Sequence, residues 1–224
     1  ILMSQDFKRE IDSLFETKKY DQAIEKMEVY LDNTPQELDL LELMGDAYGF
    51  KSEWSKAAVY YEKLMTIDEA NANYNYKYGG VLGKLAKEGS KLKALSLIPK
   101  VKSAFLKAAK LDSNFIEVRW ALVELYTQLP GFLGGNYSKA LDFADEIEQI
   151  SPLEGALAQG FLLAKQNEIT KSKEFYKKAI DWVSQESCSS LSNYLQRNQS
   201  YYELGKALLF LNQLPEIAIC CFSF

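Results

Sequence analysis

Carboxylates and aromatic side chains spaced three and four residues apart are the groups in this chain best placed to do chemistry. Asp39, Glu42 and Asp46 follow one another at that spacing, as do Asn73, Tyr76 and Gly80, and Glu117, Trp120 and Glu124. On a helix such spacing lines side chains along one face. Phe161 and Tyr202 fall at the matching places further on. Clustered carboxylates on a concave surface set up a negative potential that draws basic groups, and aromatic side chains beside them supply the contact area of binding anchors. The chemistry implied is recognition. The commonest catalytic routes are closed, because the 224 residues include no histidine. Ser/His/Asp and Cys/His catalysis and every His-based metal site are thereby excluded.

Other candidates carry less. Cys188, Cys220 and Cys221 have neither the number nor the spacing of a zinc cluster or a disulfide framework. Cys220 and Cys221 read as small buried hydrophobes. The glycine-rich PGFLGGNYSKA segment precedes a helix, where backbone N–H groups could hold an anion. It lacks the Gly-Lys-Ser/Thr ending of a phosphate loop, and Lys139 stands four residues past Gly135. YGGVLGKLAK has no hydroxyl after Lys84. Both segments read as turn and packing glycines. Phe132 and Leu133 in the first of them are candidate partner contacts. The carboxylates lie on charged helical faces, with no pair isolated in an apolar setting, so no acid–base pair is expected. No metal and no cofactor is expected.

The elements that must position these residues repeat. Ile11, Gly45 and Gly79 share one evenly spaced frame, and Leu14, Tyr48 and Leu82 another with the same spacing. Tyr20, Ala23 and Met27 recur as Trp54, Ala57 and Tyr61. The common period is 34, and such a period with small residues at two places marks a helix–turn–helix repeat. Alanine suits a close helix crossing, and glycine lets a neighbouring helix approach the backbone. Such a unit cannot bury its own apolar face, so units must stack. The expected fold is all-α, a right-handed α-solenoid of about six units.

The first unit should run as helices over Phe7–Glu16 and Asp21–Asp32, stopped at Asn33, Thr34 and Pro35. In the third unit the second-helix pattern arrives ten residues late, an insertion near 88–101, and the fourth carries five extra residues near 129–136. Insertions in such arrays map to loops on one face, often the working one. The serine-rich stretch 184–200 reads as an irregular link. The closing EIAICCFSF is apolar where an array ordinarily ends in a polar cap. That points to continuation of the chain or to a partner over that end.

The segment LMGDAYGFKSEWSKAAVYYEKLMTID (Leu43–Asp68) resembles the tetratricopeptide repeat, with its Leu/Gly pair, Tyr, aromatic, Ala and aromatic in order. Weaker copies supply Tyr137, Ala140 and Pro152, then Gly160, Leu163, Ile169, Tyr176 and Ala179, then Leu204, Gly205 and Leu214. Over Lys91–Ile180 the chain is similar to exported bacterial tetratricopeptide proteins with an interrupted third unit and a Pro-Gly/Gly-Gly loop. It is more distantly similar to periplasmic repeat proteins of tripartite substrate-binding transporters. That resemblance implies an extracytoplasmic scaffold or ligand-handling role. The Lys and Asn carboxylate clamp of the family's chaperone-binding members is missing, so an acidic C-terminal peptide is a poor ligand.

Charge and hydropathy bound the rest. No run of about 18 apolar residues exists to cross a bilayer, and a net charge of −5 argues against nucleic acid. From Lys84 to Lys110 eight lysines stand against Glu88 alone, a surplus of seven, so the remainder carries −12. Such asymmetry marks a patch for an acidic partner or a membrane surface. ILMSQDFKREID turns from apolar to polar within six residues, as at the end of a signal segment cleaved near Ser4. Residues 1–5 read as that end or as a cloning remnant, and 6–224 as one array. Export to the periplasm or cell envelope is the expectation, with the cytoplasm as the alternative. The reading is a non-enzymatic scaffold binding a protein, peptide or small ligand in an acidic and aromatic groove. The partner is expected to be basic or mixed basic–apolar, a second copy's Lys-rich insertion included. The alternative is a structural subunit of an envelope or transporter assembly.

Overall fold

The structure is a computed structural model describing residues 5–184, 195, 198–211 and 221. The expectations for Ile1–Ser4, Cys188, Leu214, Cys220, most of the serine-rich link and most of the closing apolar segment lie outside the described residues. Within them the chain is helical, with no strand. Eleven α-helices follow one another: α1 Gln5–Glu16, α2 Tyr20–Leu31, α3 Leu38–Phe50, α4 Trp54–Ile67, α5 Ala72–Glu88, α6 Lys91–Leu111, α7 Ile116–Gln128, α8 Tyr137–Ile150, α9 Pro152–Lys165, α10 Ile169–Val183 and α11 Asn198–Phe210. They divide into two compact units, Ile1–Ser113 and Asn114–Phe224.

In the first unit each of α1 to α6 packs on the next. Ile11, Ala23, Met27, Leu40, Met44, Ala57 and Leu64 are wholly buried along this succession. In the second unit α7 to α11 do the same, and α9 also touches both α7 and α11. Odd-numbered helices are therefore the first helices of their repeats and even-numbered ones the second.

Each of three hairpins crosses at a glycine facing an aromatic ring. A Cβ on Gly45 would lie 2.5 Å from Tyr61, one on Gly160 2.5 Å from Tyr176, and one on Gly79 2.7 Å from Phe105. Gly45 to Tyr61 and Gly160 to Tyr176 are equal separations along the chain, and Gly79 to Phe105 is longer by the inserted segment. The insertion thus leaves the crossing in register. It does not form the loop that solenoid insertions usually make. α5 reaches 17 residues and α6 21, and only Gly89 and Ser90 separate them. Ser90 caps α6, its hydroxyl accepting from the Lys93 N–H at 3.3 Å.

The regular turns recur too. Lys18 and Ser52, one repeat period apart, and Asn167 all have positive φ, at 56°, 59° and 61°. After each, the next N–H bonds five residues back, Lys19 to Leu14, Glu53 to Tyr48 and Glu168 to Leu163. Such a left-handed residue closes helices in general.

Candidate functional site

The acidic stripe lies on α3 and is met from α5. Asp39 is exposed. Lys77 reaches back one repeat, its Nζ 2.7 Å from Glu42 Oε1 and 2.8 Å from Asp46 Oδ1. Asn73, one turn earlier on α5, donates its amide to Glu42 Oε1 at 2.8 Å. The Tyr61 hydroxyl donates to Asp46 Oδ1 at 2.6 Å from α4. The Lys77, Glu42 and Asp46 side chains are about a quarter exposed, at 24–27%. Burial, then the Asp46 charge, pushes the Tyr61 hydroxyl far above the ordinary tyrosine range. With three carboxylates against one ammonium the cluster keeps a net −2, so it is polar and tied together rather than strongly negative. Tyr76 is half-buried, its ring 5.9 Å from that of Phe105.

One glycine here has no packing reason. A Cβ on Gly80 would meet nothing within 4 Å, although its neighbour Gly79 is pressed against Phe105. Gly80 sits inside α5, where glycine costs about 1 kcal/mol relative to alanine. It leaves bare backbone one turn beyond Tyr76.

The second unit corrects the sequence reading. Trp120 is 1% exposed and belongs to the core. Its indole N–H donates to Glu154 Oε2 at 2.8 Å, and the Ser200 hydroxyl donates to the same oxygen at 2.6 Å. Glu154 is itself 2% exposed, so a carboxyl group joins α7, α9 and α11 from inside. Two signals pointed to it: Glu154 follows Trp120 by one full repeat period, and it ends a Ser-x-x-Glu sequence at the start of α9. Ser151 does cap α9, accepting from the Glu154 N–H at 3.4 Å. The carboxyl turns inward, because an indole N–H buried without an acceptor is costly.

Phe161 is half-buried, 6.1 Å from the Trp120 ring at 65°, with Lys165 Nζ 5.4 Å over its face. Glu117 and Glu124 are half-buried on α7. Tyr202 is 49% exposed, with Lys206 Nζ 4.9 Å from its ring centroid. Thus Trp120 and Phe161 meet each other, while Glu42 and Asp46 meet Asn73 and Lys77. Lys77, Glu154 and Ser200 were not singled out from the sequence.

The Pro130–Asn136 loop is built rather than slack. A short 3-10 turn spans Gly131–Leu133, and N–H groups of Leu133 and Gly135 both bond to the Pro130 carbonyl. Gly134 has φ 93°, a left-handed conformation that glycine adopts freely. Phe132 is 86% exposed and Leu133 half-buried. Asn136 caps α8, its side chain accepting from the Lys139 N–H at 3.0 Å. This occupies a donor an anion would need. Among the described residues no group of three or more carboxylates or cysteines could hold a metal, and no helix is long and apolar enough to cross a membrane. Burial pushes the Cys221 thiol up to about 11.

No protein-family model matches the chain, and no curated protein does. Solved structures match its fold. A tetratricopeptide repeat protein from Parabacteroides merdae ATCC 43184 superposes with a TM-score of 0.65 at 13% identity, covering 98% of this chain and 90% of its own. The thermophilic TPR protein TTC0263 of Thermus thermophilus gives 0.64 at 14% identity, over 92% and 98%. YrrB, described as a TPR protein with an unusual peptide-binding site, gives 0.57 at 18%, over 80% and 86%. The fold is the all-α, solenoid-type tetratricopeptide-repeat fold.

Proposed function

We propose that this chain is a non-enzymatic scaffold that binds a protein or peptide segment along the first helices of its first unit. The observation that carries the reading is Gly80. A helix-interior glycine with open space over it, beside a tied polar cluster, gives an extended ligand room to approach backbone. Asp39, Glu42, Asp46 and Lys77 supply polar contacts on α3 and α5, and Tyr76 supplies an aromatic edge. Lys77 offsets one of the three charges, so the favoured segment is mixed basic–apolar rather than densely basic. The likeness to peptide-binding YrrB is consistent with this. The absence of histidine from the sequence supports binding over catalysis.

Fluorescence anisotropy with labelled basic–apolar, acidic and neutral peptides tests the proposal. Basic–apolar peptides should bind, more weakly as salt rises. Gly80→Leu should raise Kd about tenfold or more without lowering the unfolding midpoint, since a Cβ there meets nothing within 4 Å. Preference for acidic peptides, or unchanged binding by Gly80→Leu, counts against it. Export remains part of the proposal on the apolar-to-polar change after Ser4. Mass spectrometry of the mature N-terminus in the native host reads it.

A further inference from the structure

The outward face of α6 has a composition that the groove does not use. Leu92, Leu95, Pro99 and Leu106 stand at intervals of three, four and seven residues, which places them on one side of a helix. Leu92 is 79% exposed, Leu95 45% and Leu106 37%, and Pro99 is exposed as well. The opposite side is core: Val101, Ala104, Phe105, Ala108 and Ala109 are buried. At 3.6 residues per turn the lysines fall on both margins of the apolar stripe. Lys91 and Lys102 lie along one, and Lys93, Lys100 and Lys107 along the other. No acid occurs in the 21 residues of α6. The stripe is about 21 Å long at 1.5 Å per residue.

The same unit carries a surface of the opposite kind. A furrow of about 590 Å³ runs between the α2–α3 turn and α4. Pro35, Val59 and Ile67 line it, the last two 50% and 43% exposed. An adjoining depression adds Leu31 and shares Pro35 and Lys63. Their polar edges are Glu28, Asp32 and Glu62 against the single lysine, Lys63. An apolar floor with acidic edges is the complement of an apolar stripe with basic edges.

We propose that α6 of one copy docks in the α2–α4 furrow of a second copy of this chain. The contact uses the second helices, so it stands apart from the groove reading. Leu92 and Leu95 enter the apolar floor, and Lys91, Lys93 and Lys100 face Glu28, Asp32 and Glu62, Lys107 being paired with Glu69 of its own chain at 3.1 Å. Charge favours this occupant over an anionic bilayer. The residues outside 84–110 carry −12, which a lipid surface of like sign repels and the basic stripe of another copy attracts. The two surfaces differ, so the contact is head-to-tail and propagates to rings or open filaments rather than closing as a two-fold dimer.

Sedimentation velocity of the full chain over a concentration series, at low and high salt, tests the docking. The expected result is concentration-dependent association that weakens as salt screens the margins. Two surface double variants make the test specific. L92E with L95E removes the stripe and keeps the furrow; V59E with I67E removes the furrow and keeps the stripe. Each alone should lose association about tenfold or more, with circular dichroism unchanged. Mixed together they should form one-to-one pairs, because one intact stripe and one intact furrow remain. A chain monomeric up to near-millimolar concentration overturns the proposal, as does either variant that still associates alone. Binding to phosphatidylserine vesicles through Leu92 and Leu95 by a chain that stays monomeric assigns the stripe to lipid instead.

Discussion

Gly79 and Gly80 are neighbours on one helix with opposite surroundings, and they should respond oppositely to the same change. Gly79→Ala drives a Cβ to 2.7 Å from the Phe105 ring and should cost about 1–3 kcal/mol. Gly80→Ala meets open space and should gain about 0.5–1 kcal/mol by restricting the unfolded chain. Urea unfolding of the two variants reads both signs. Glu154 behaves as a buried hub. Glu154→Ala removes the acceptor that the Trp120 indole N–H and the Ser200 hydroxyl share, and a loss of about 2–3 kcal/mol is expected. Glu154→Gln keeps an acceptor and should lose less. An Ala variant as stable as the parent would falsify the hub. Ser52 holds the left-handed turn position at φ 59° without being glycine. Ser52→Gly should therefore raise the unfolding midpoint, since a side chain costs about 1 kcal/mol there.

At the scale of elements, the Pro130–Asn136 turn joins α7 to α8 with Phe132 offered to solvent. Phe132→Ser should leave stability within about 0.5 kcal/mol, as exposed positions do. Should it abolish binding of a captured partner, the loop is a second contact. Replacing the whole loop should cost more, because the Asn136 cap and the N–H bonds to Pro130 go with it. Helix hairpins were also the part most legible from sequence. The frame of Gly45 and Gly79 marked where a neighbouring helix comes close, and the second-helix pattern arriving ten residues late sized the insertion; that each glycine faces an aromatic ring came from the structure. The candidate site was legible only as a list of residues on a face. That Lys77 would tie down Glu42 and Asp46 depends on how successive first helices lie together, which a repeat period does not state. Trp120 shows the same limit: the spacing puts it on one face with Glu117 and Glu124, but rotation about the helix axis by part of a turn decides between groove and core, and Trp120 lies in the core.

At the scale of the whole molecule, tyrosine is the titrating group that folding perturbs most widely among the described residues. Burial raises Tyr48, Tyr60, Tyr61, Tyr74 and Tyr78 in the first unit and Tyr137, Tyr176 and Tyr201 in the second. A folded pKa above the unfolded value near 10 means the stabilisation is complete below about pH 10 and drains away as pH climbs through the folded values. Alkaline unfolding should begin above about pH 10, with tyrosinate absorbance rising in step with loss of helix. Tyr61→Phe should move that onset upward. The lengthened α5–α6 hairpin has a different consequence, one of motion. Its crossing at Gly79 and Phe105 lies well inside; toward Ser90 the end of α5 is tied to α4 by the Trp54 indole N–H, which donates to Glu88 Oε1 at 2.8 Å, whereas α6 buries no residue before Val101. Amide hydrogen exchange should therefore run as a gradient along α6, slow at Ala108 and Phe105 and fast from Lys100 back to Lys91. The tip can open and close many times while the repeat beneath it never unfolds.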